Sequence, residues 1–188
     1  MRYRLFFISS FVLYTGAAHA ADDVFRIMLE EPVAGEIHGG VGNLRGWAVA
    51  TDGIAKVTIL IDGVYYSDAP YGGSRGDVGG AFPDVPNSND SGFSSAFNYS
   101  ALQAGPHTVT AVAYTPDGAT KESSAEFEVV RFDSAFITGD DAVNLNNASC
   151  MVEADQISIV DATVDGAILD LLLKWRTAEQ GFEIVEIR

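Results

Sequence analysis

Lys56-Val57-Thr58-Ile59-Leu60-Ile61-Asp62-Gly63-Val64-Tyr65-Tyr66 decides the fold class. A β-branched run of period two ends on Asp-Gly, which supplies the positive φ of a tight hairpin turn, and a second strand leaves at Val64. The same pattern extends outward. Phe25 to Leu29 reads as a short strand broken by Pro32, and Ile37 followed by Leu44 to Val49 as the next, with Trp47 as a core anchor. Strands resume at Gly92 to Tyr99, His107 to Tyr114 and Ser123 to Phe132, separated by Ala104-Gly105-Pro106 and Pro116-Asp117-Gly118. About seven short strands in roughly 110 residues is the spacing of an antiparallel β-sandwich, so the chain is expected to be all-β. On the 107–114 strand, Val109, Ala111 and Ala113 share one face and are expected to point inward.

Between Tyr66 and Gly92 the period vanishes. Residues 67–91 hold five of the nineteen glycines and read as one long loop, with Tyr71 and Phe82 to pack it. Structureless connections longer than about 12–15 residues are uncommon in compact domains and usually serve a function.

The ends read differently. Arg2 and Arg4, the apolar run Leu5 to Tyr14 and the Ala18-His19-Ala20 motif predict a signal peptide over 1–20, cleaved after Ala20. The apolar run falls short of the roughly 20 residues a membrane span needs, and no second one follows in the mature chain. Cleavage leaves 168 residues, enough to bury a core without staples. Beyond Asp133, Gln156 to Val164 alternates, Asp165-Gly166 turns, and Ala167 to Trp175 runs back. Leu169, Leu171, Leu173 and Trp175 share one face, Trp175 read as a second core anchor, and Phe182 to Ile187 closes the pattern. Residues 21–132 are therefore expected to form the sandwich, and 133–188 a small subdomain rich in β-hairpins. Cys150 is the single cysteine; it excludes an internal disulfide and reads as a small buried apolar residue.

All 26 acidic residues lie in the mature part, where removal of Arg2 and Arg4 leaves 9 of the 11 basic ones, a net charge of about −17. This argues against nucleic acid and anionic membrane surfaces as partners, because both need a cationic face.

The ordered words Gly46-Trp47-Ala48, Ile61-Asp62-Gly63, Tyr71-Gly72, Arg75, Asp77-Val78, Phe82-Pro83, Pro86-Asn87-Ser88, Ser91-Gly92-Phe93, Leu102, Gly105, His107-Thr108 and Asp117-Gly118 resemble the immunoglobulin-like modules of bacterial secreted and surface proteins. The resemblance covers about 28–131. It implies an immunoglobulin-like fold and an accessory or adhesive role, and it offers no catalytic residues to carry over. The tail with Val164-Asp165-Gly166, Leu173-Lys174-Trp175 and Gln180-Gly181-Phe182 looks like a β extension of such modules.

Four motifs compete for the loop. Gly72-Gly73-Ser74-Arg75-Gly76 matches the G-x-S-x-G nucleophile elbow, which needs a strand before it and a helix after it. Gly79, Gly80 and Pro83 forbid that helix, so no hydrolase is expected. Arg75-Gly76-Asp77 is an RGD tripeptide; a salt bridge or turn hydrogen bonds that pin the loop are the simpler reading. Asn87 to Gly92 falls short of an EF-hand, because the twelfth position is Asn98 rather than Glu. A noncanonical calcium site on Asp77, Asp84 or Asp90 stands as the alternative to plain turn capping. Tyr65, Tyr66 and Tyr71 are weighed as a sugar-stacking platform against ordinary cross-strand packing. His38 and His107 read as surface or packing residues, and no metal site is expected from them.

The functional expectation is a non-enzymatic binding, adhesion or accessory module, secreted or periplasmic, presenting loop 67–91 to a protein or carbohydrate at the cell envelope. Its contact residues would be Tyr71, Arg75, Asp77, Phe82, Asn87 and Asp90, with no catalytic residues and no required cofactor. The alternatives are a structural assembly subunit and an accessory domain of an envelope enzyme.

Overall fold

A computed structural model describes residues 23–188; the expected signal segment lies outside them. β1 (Phe25–Glu31) stops immediately before Pro32, which has no N–H to continue a ladder. β3 (Val41–Ala50) pairs with β1 on one side and with β7 (Gly92–Asn98) on the other, and β6 (Tyr71–Gly73) closes the sheet as an edge, giving the order β1-β3-β7-β6. The facing sheet has the order β2-β9-β8-β4-β5, from β2 (Ile37–His38), β4 (Lys56–Ile61), β5 (Val64–Ala69), β8 (Gly105–Tyr114) and β9 (Thr120–Val129). Pairing is antiparallel except for the two-residue β2, which runs parallel to β9. The β4–β5 hairpin turns on Asp62 (φ 51) and Gly63 (φ 77), the two consecutive left-handed residues its tight turn requires.

Between these sheets Leu44, Ala48, Val57, Ile59, Phe93, Phe97, Tyr99, Val109, Ala111, Ala113 and Phe127 form one buried core. The inward face expected for Val109, Ala111 and Ala113 is the observed one. Each large side chain buried here stabilises the fold by about 1.5–3 kcal/mol relative to leaving it in water.

A third sheet follows, with β10 (Val143–Asn144) and β11 (Ser149–Glu153) both against β12 (Gln156–Val164), then β13 (Ala167–Arg176) and β14 (Gly181–Ile187). Asp165 (φ 49) and Gly166 (φ 83) make its central hairpin. Two expectations fail in this sheet. Cys150 is exposed, because every residue of β11 is. Trp175 is 39% exposed and rests edge-on against Phe182 at 5.4 Å instead of anchoring a core. Period two identifies a strand's faces; it does not say whether a second layer covers either of them.

The third sheet meets the sandwich where β14 runs beside β2. A Cβ on Gly39 would stand 3.0 Å from the Ile184 carbonyl oxygen, so glycine permits this close approach.

Candidate functional site

The long connection is more ordered than its composition predicts. It contains β6, a short helix α1 (Gly76–Ala81) and a 3-10 turn at Ser88–Asp90. The helix corrects the expectation that Gly79, Gly80 and Pro83 forbid one. Pro83 lies just beyond its end, where it interrupts nothing, and tertiary packing outweighs the poor propensity of the glycines. Val78 is buried with Val49 and Val85, and Trp47, Phe82 and Val24 pack around them. Trp47 and Val49 alternate with the core residue Ala48 and therefore face away from the sandwich interior. The connection thus folds back over the outer face of the β1-β3-β7-β6 sheet and builds a second, smaller apolar cluster there. A Cβ on Gly79 would meet the Asn89 side chain, which would have to swing aside.

Arg75 locks this cover. Its Nη1 and Nη2 donate to Glu30 Oε2 and Oε1, both at 2.9 Å, while Nε and Nη2 donate to Asp77 Oδ1 and Oδ2 at 2.9 and 2.6 Å. Two paired carboxylate contacts on one planar guanidinium fix it in orientation as well as position. The Arg75 hydrogen bonds hold the Asp77 carboxyl far below the usual carboxylate range. The Arg75 backbone N–H also donates to the Asn89 carbonyl at 2.6 Å, tying the helix entrance to the 3-10 turn. Tyr71 donates its hydroxyl to the Ala48 carbonyl at 2.8 Å, and burial followed by the charge of Asp90 pushes its pKa up to about 12.

Beside the cover lies an open groove of about 750 Å³, lined among others by Glu30, Arg45, Tyr71, Ser74, Arg75 and Ser94. Of the residues expected to make contact, Tyr71 and Arg75 line it. Asp77 sits behind Arg75, Phe82 stacks obliquely on Trp47 at 5.7 Å, and Asn87 takes a left-handed conformation (φ 57) to start the 3-10 turn. Asp90 closes that turn through its N–H to the Asn87 carbonyl at 2.9 Å. These four shape the cover and lie outside the groove lining. Sequence reading missed Glu30 and Arg45. Both lie on strands, β1 and β3, and only the sheet register brings them to the loop. Arg45 lines the groove with a side chain that is 42% exposed, although its Nε is buried without a hydrogen bond.

Of the competing motifs, the nucleophile elbow meets its backbone context better than expected, because β6 precedes Ser74 and α1 follows it. The chemistry still lacks a base, since the groove lining includes no histidine among the described residues. His38 is stacked on Tyr99 and His107 binds Asp62. Asp77, Asp84 and Asp90 do not gather into a three-ligand group; the described residues that do are Glu31, Glu36 and His38. The tyrosine platform is broken as well. Tyr65 and Tyr66 are neighbours on an edge strand and point to opposite faces, Tyr66 packs edge-on against Phe97, and Tyr71 is fixed elsewhere.

Two facing sheets with this core define an immunoglobulin-like β-sandwich. Residues 27–111 match the family model of the bacterial Ig domain. Similar solved structures include the fibronectin(III)-like modules of Clostridium thermocellum CbhA, at 19% identity and TM-score 0.36, covering 56% of this chain and 98% of that one. The endo-beta-1,4-mannanase of Thermotoga petrophila matches at 10% identity and TM-score 0.42, over 60% of this chain and 21% of that one. The N-terminal Ig1-2 module of the Drosophila receptor protein tyrosine phosphatase DLAR matches at 10% identity and TM-score 0.39, over 87% and 95%. No curated protein matches the chain. Among the described residues, no helix is long and apolar enough to cross a membrane.

Proposed function

We propose that this chain is an exported, non-catalytic binding module that engages a polar partner, protein or carbohydrate, in the groove beside the 67–91 cover. One observation carries this reading: a groove of about 750 Å³ rimmed by charged side chains on a rigid sheet, with Arg75 clamped between two carboxylates. Binding residues are often carried on loops held by a rigid scaffold. The wall chemistry favours a ligand with hydroxyl, amide or carboxylate groups, because Arg45 and Arg75 donate while Glu30 accepts. The strongly acidic remainder of the surface repels polyanions and leaves Arg45, whose nearest carboxylate is Glu31 at 3.8 Å, as the local point of attraction. A secreted or periplasmic location accords with the signal-like residues 1–20.

The test is a glycan and peptide array probed with the purified protein, followed by titration of the hits. Arg45→Ala, on an exposed guanidinium, is expected to weaken binding at least tenfold with unchanged circular dichroism. Hits that bind the variant equally well would place the interaction elsewhere. N-terminal sequencing of the exported protein checks the cleavage after Ala20.

A second reading, a subunit in a structural assembly, is favoured by the third sheet, where Met151, Val152, Ile168 and Phe182 are exposed. Size-exclusion chromatography separates the two, since this reading requires an oligomer.

A further inference from the structure

The seam between the sandwich and the third sheet holds the most unusual chemistry in the molecule. His38 is 1% exposed, and neither of its ring nitrogens makes a hydrogen bond. Nε2 lies 3.4 Å from Glu36 Oε2, and Nδ1 lies 3.4 Å from Glu183 Oε2. The ring is held flat against Tyr99 at 4.4 Å and edge-on to Phe127 at 6.1 Å, so it cannot swing to seek other partners. Glu31, itself 7% exposed, brings a carboxylate oxygen within 4.8 Å of the Glu36 and His38 ligand atoms. Glu179 Oε1 is buried nearby, also without a hydrogen bond.

Guanidinium groups answer only part of this charge. Arg176 Nη1 donates to Glu36 Oε1 at 2.6 Å, Nη2 donates to the Ile37 carbonyl, and Nε stands 3.6 Å from Glu183 Oε2. Arg45 Nη2 is 3.8 Å from Glu31 Oε1. Four carboxylates facing two guanidinium groups leave a formal charge of −2 in a largely buried place, where unbalanced charge is costly.

We propose that His38, Glu36 and Glu31 form a binding site for a divalent first-row transition ion such as Zn²⁺, which clasps the third sheet to the sandwich. The ion takes His38 Nε2, Glu36 Oε2 and a Glu31 oxygen. The 3.4 Å between the first two is the separation of two ligand atoms on a tetrahedral zinc with bonds of roughly 2.1 Å. An imidazole nitrogen in a carboxylate set favours zinc, copper or nickel over calcium or magnesium. With Nε2 on the ion, Nδ1–H faces Glu183, the carboxylate-to-histidine support that orients imidazole ligands in metal sites. Arg176 holds Glu36 through Oε1, and Val33 N–H donates to Oε2 at 3.1 Å, which leaves a second lone pair of that oxygen for the ion. A cleft of about 350 Å³, lined by Glu31, Glu36 and Glu179, gives access from solvent and room for Glu179 or a water as fourth ligand.

Metal-stripped protein carrying Cys150→Ser, so that the exposed thiol cannot compete, is titrated with Zn²⁺ by calorimetry. One equivalent is expected to bind tightly, and the His38 Nε2 resonance is expected to move on binding in nitrogen-15 spectra. Glu36→Gln and Glu31→Gln should each lower the affinity at least tenfold while circular dichroism stays unchanged. These variants keep the size of the side chain and one acceptor oxygen, so they are safer for folding than any replacement of His38. Absence of stoichiometric zinc binding would overturn the proposal. So would equal affinity in both glutamine variants, or an unmoved His38 resonance, either of which would leave the ion on surface carboxylates or His107.

Discussion

The sandwich and the third sheet are written in the same strand pattern and stabilised in opposite ways. In the sandwich two sheets face each other, and Leu44, Ala48, Val57, Ile59, Tyr99, Val109, Ala111 and Ala113 are wholly removed from water. In the third sheet only Ala162, Val164, Leu171 and Glu183 are buried, and large apolar side chains such as Val152 and Ile168 remain about 70% exposed (72% and 70%). A sheet with one sparsely covered layer has little hydrophobic stabilisation of its own, so its order depends on neighbours. Those neighbours are the polar contacts of the seam. One region is held by packing, the other by a few buried charges.

The largest effect that would test this contrast is Phe93→Ala. Phe93 is 2% exposed in the middle of the main core, and its truncation is expected to cost about 3–5 kcal/mol in urea unfolding. Leu171→Ala, in the third sheet, should fall at or below the lower end of the range for such truncations, about 2 kcal/mol, because fewer neighbours surround it. Comparable losses at the two sites would mean the third sheet is covered in solution.

Next comes Arg176→Ala in metal-free protein. It leaves Glu36 and Glu183 without their guanidinium in a seam where Glu183 is 8% exposed. Removing one partner of a buried pair typically costs about 3 kcal/mol or more. The loss should appear in hydrogen exchange as faster exchange of β14 and β2 amides, with β4 and β8 protected as before. Uniform acceleration through the whole chain would show that the seam and the sandwich unfold together.

Strands and tight turns were legible because their signals are local. Asp62-Gly63 and Asp165-Gly166 announce hairpins wherever the chain goes, and Arg75 and Asp77 are near enough in sequence to pair. What escaped notice depends on distant chain. Helix α1 contradicts its own glycines and forms because Val78 finds the cluster around Val49 and Trp47. The groove needs Glu30 and Arg45, placed by the register of β1 and β3. The seam joins Glu31, Glu36 and His38 to Arg176 and Glu183, some 140 residues onward, and no spacing along the chain marks them as neighbours.

A third, intermediate effect concerns the cover over the sandwich's outer face. Gly79→Ala adds a methyl group where the exposed Asn89 side chain stands, so that side chain must swing away, and the net cost should be about 1 kcal/mol, at the low end for overpacking. Local packing, rather than the main core, should absorb the change. Limited proteolysis is expected to cut within 76–91 in the variant before any cut in β4 or β8. Simultaneous cleavage throughout would show that the cover and the sandwich are one cooperative unit.

The smallest expected effect lies at the β4–β5 turn, where His107 Nδ1 meets Asp62 Oδ2 at 2.7 Å and Nε2 lies 2.8 Å from the Gln103 carbonyl oxygen. Partial burial works to lower the His107 pKa, but the Asp62 hydrogen bond and the Gln103 carbonyl outweigh it, and the net shift is upward. For Asp62, burial is outweighed by the Thr108 N–H and by His107, and the net shift is downward. The raised histidine contributes stability in full below its unfolded value of roughly 6.5 and loses it as pH rises through the folded pKa. The depressed aspartate contributes above its unfolded value of roughly 3.9 and loses it as pH falls through its folded pKa. The pair therefore stabilises most between about pH 4 and 6.5, and Asp62 is exposed enough for salt to weaken it. His107→Gln should flatten the fall in melting temperature from pH 6 to pH 8, with little change in the main core. An unchanged slope would move that pH dependence to another part of the molecule.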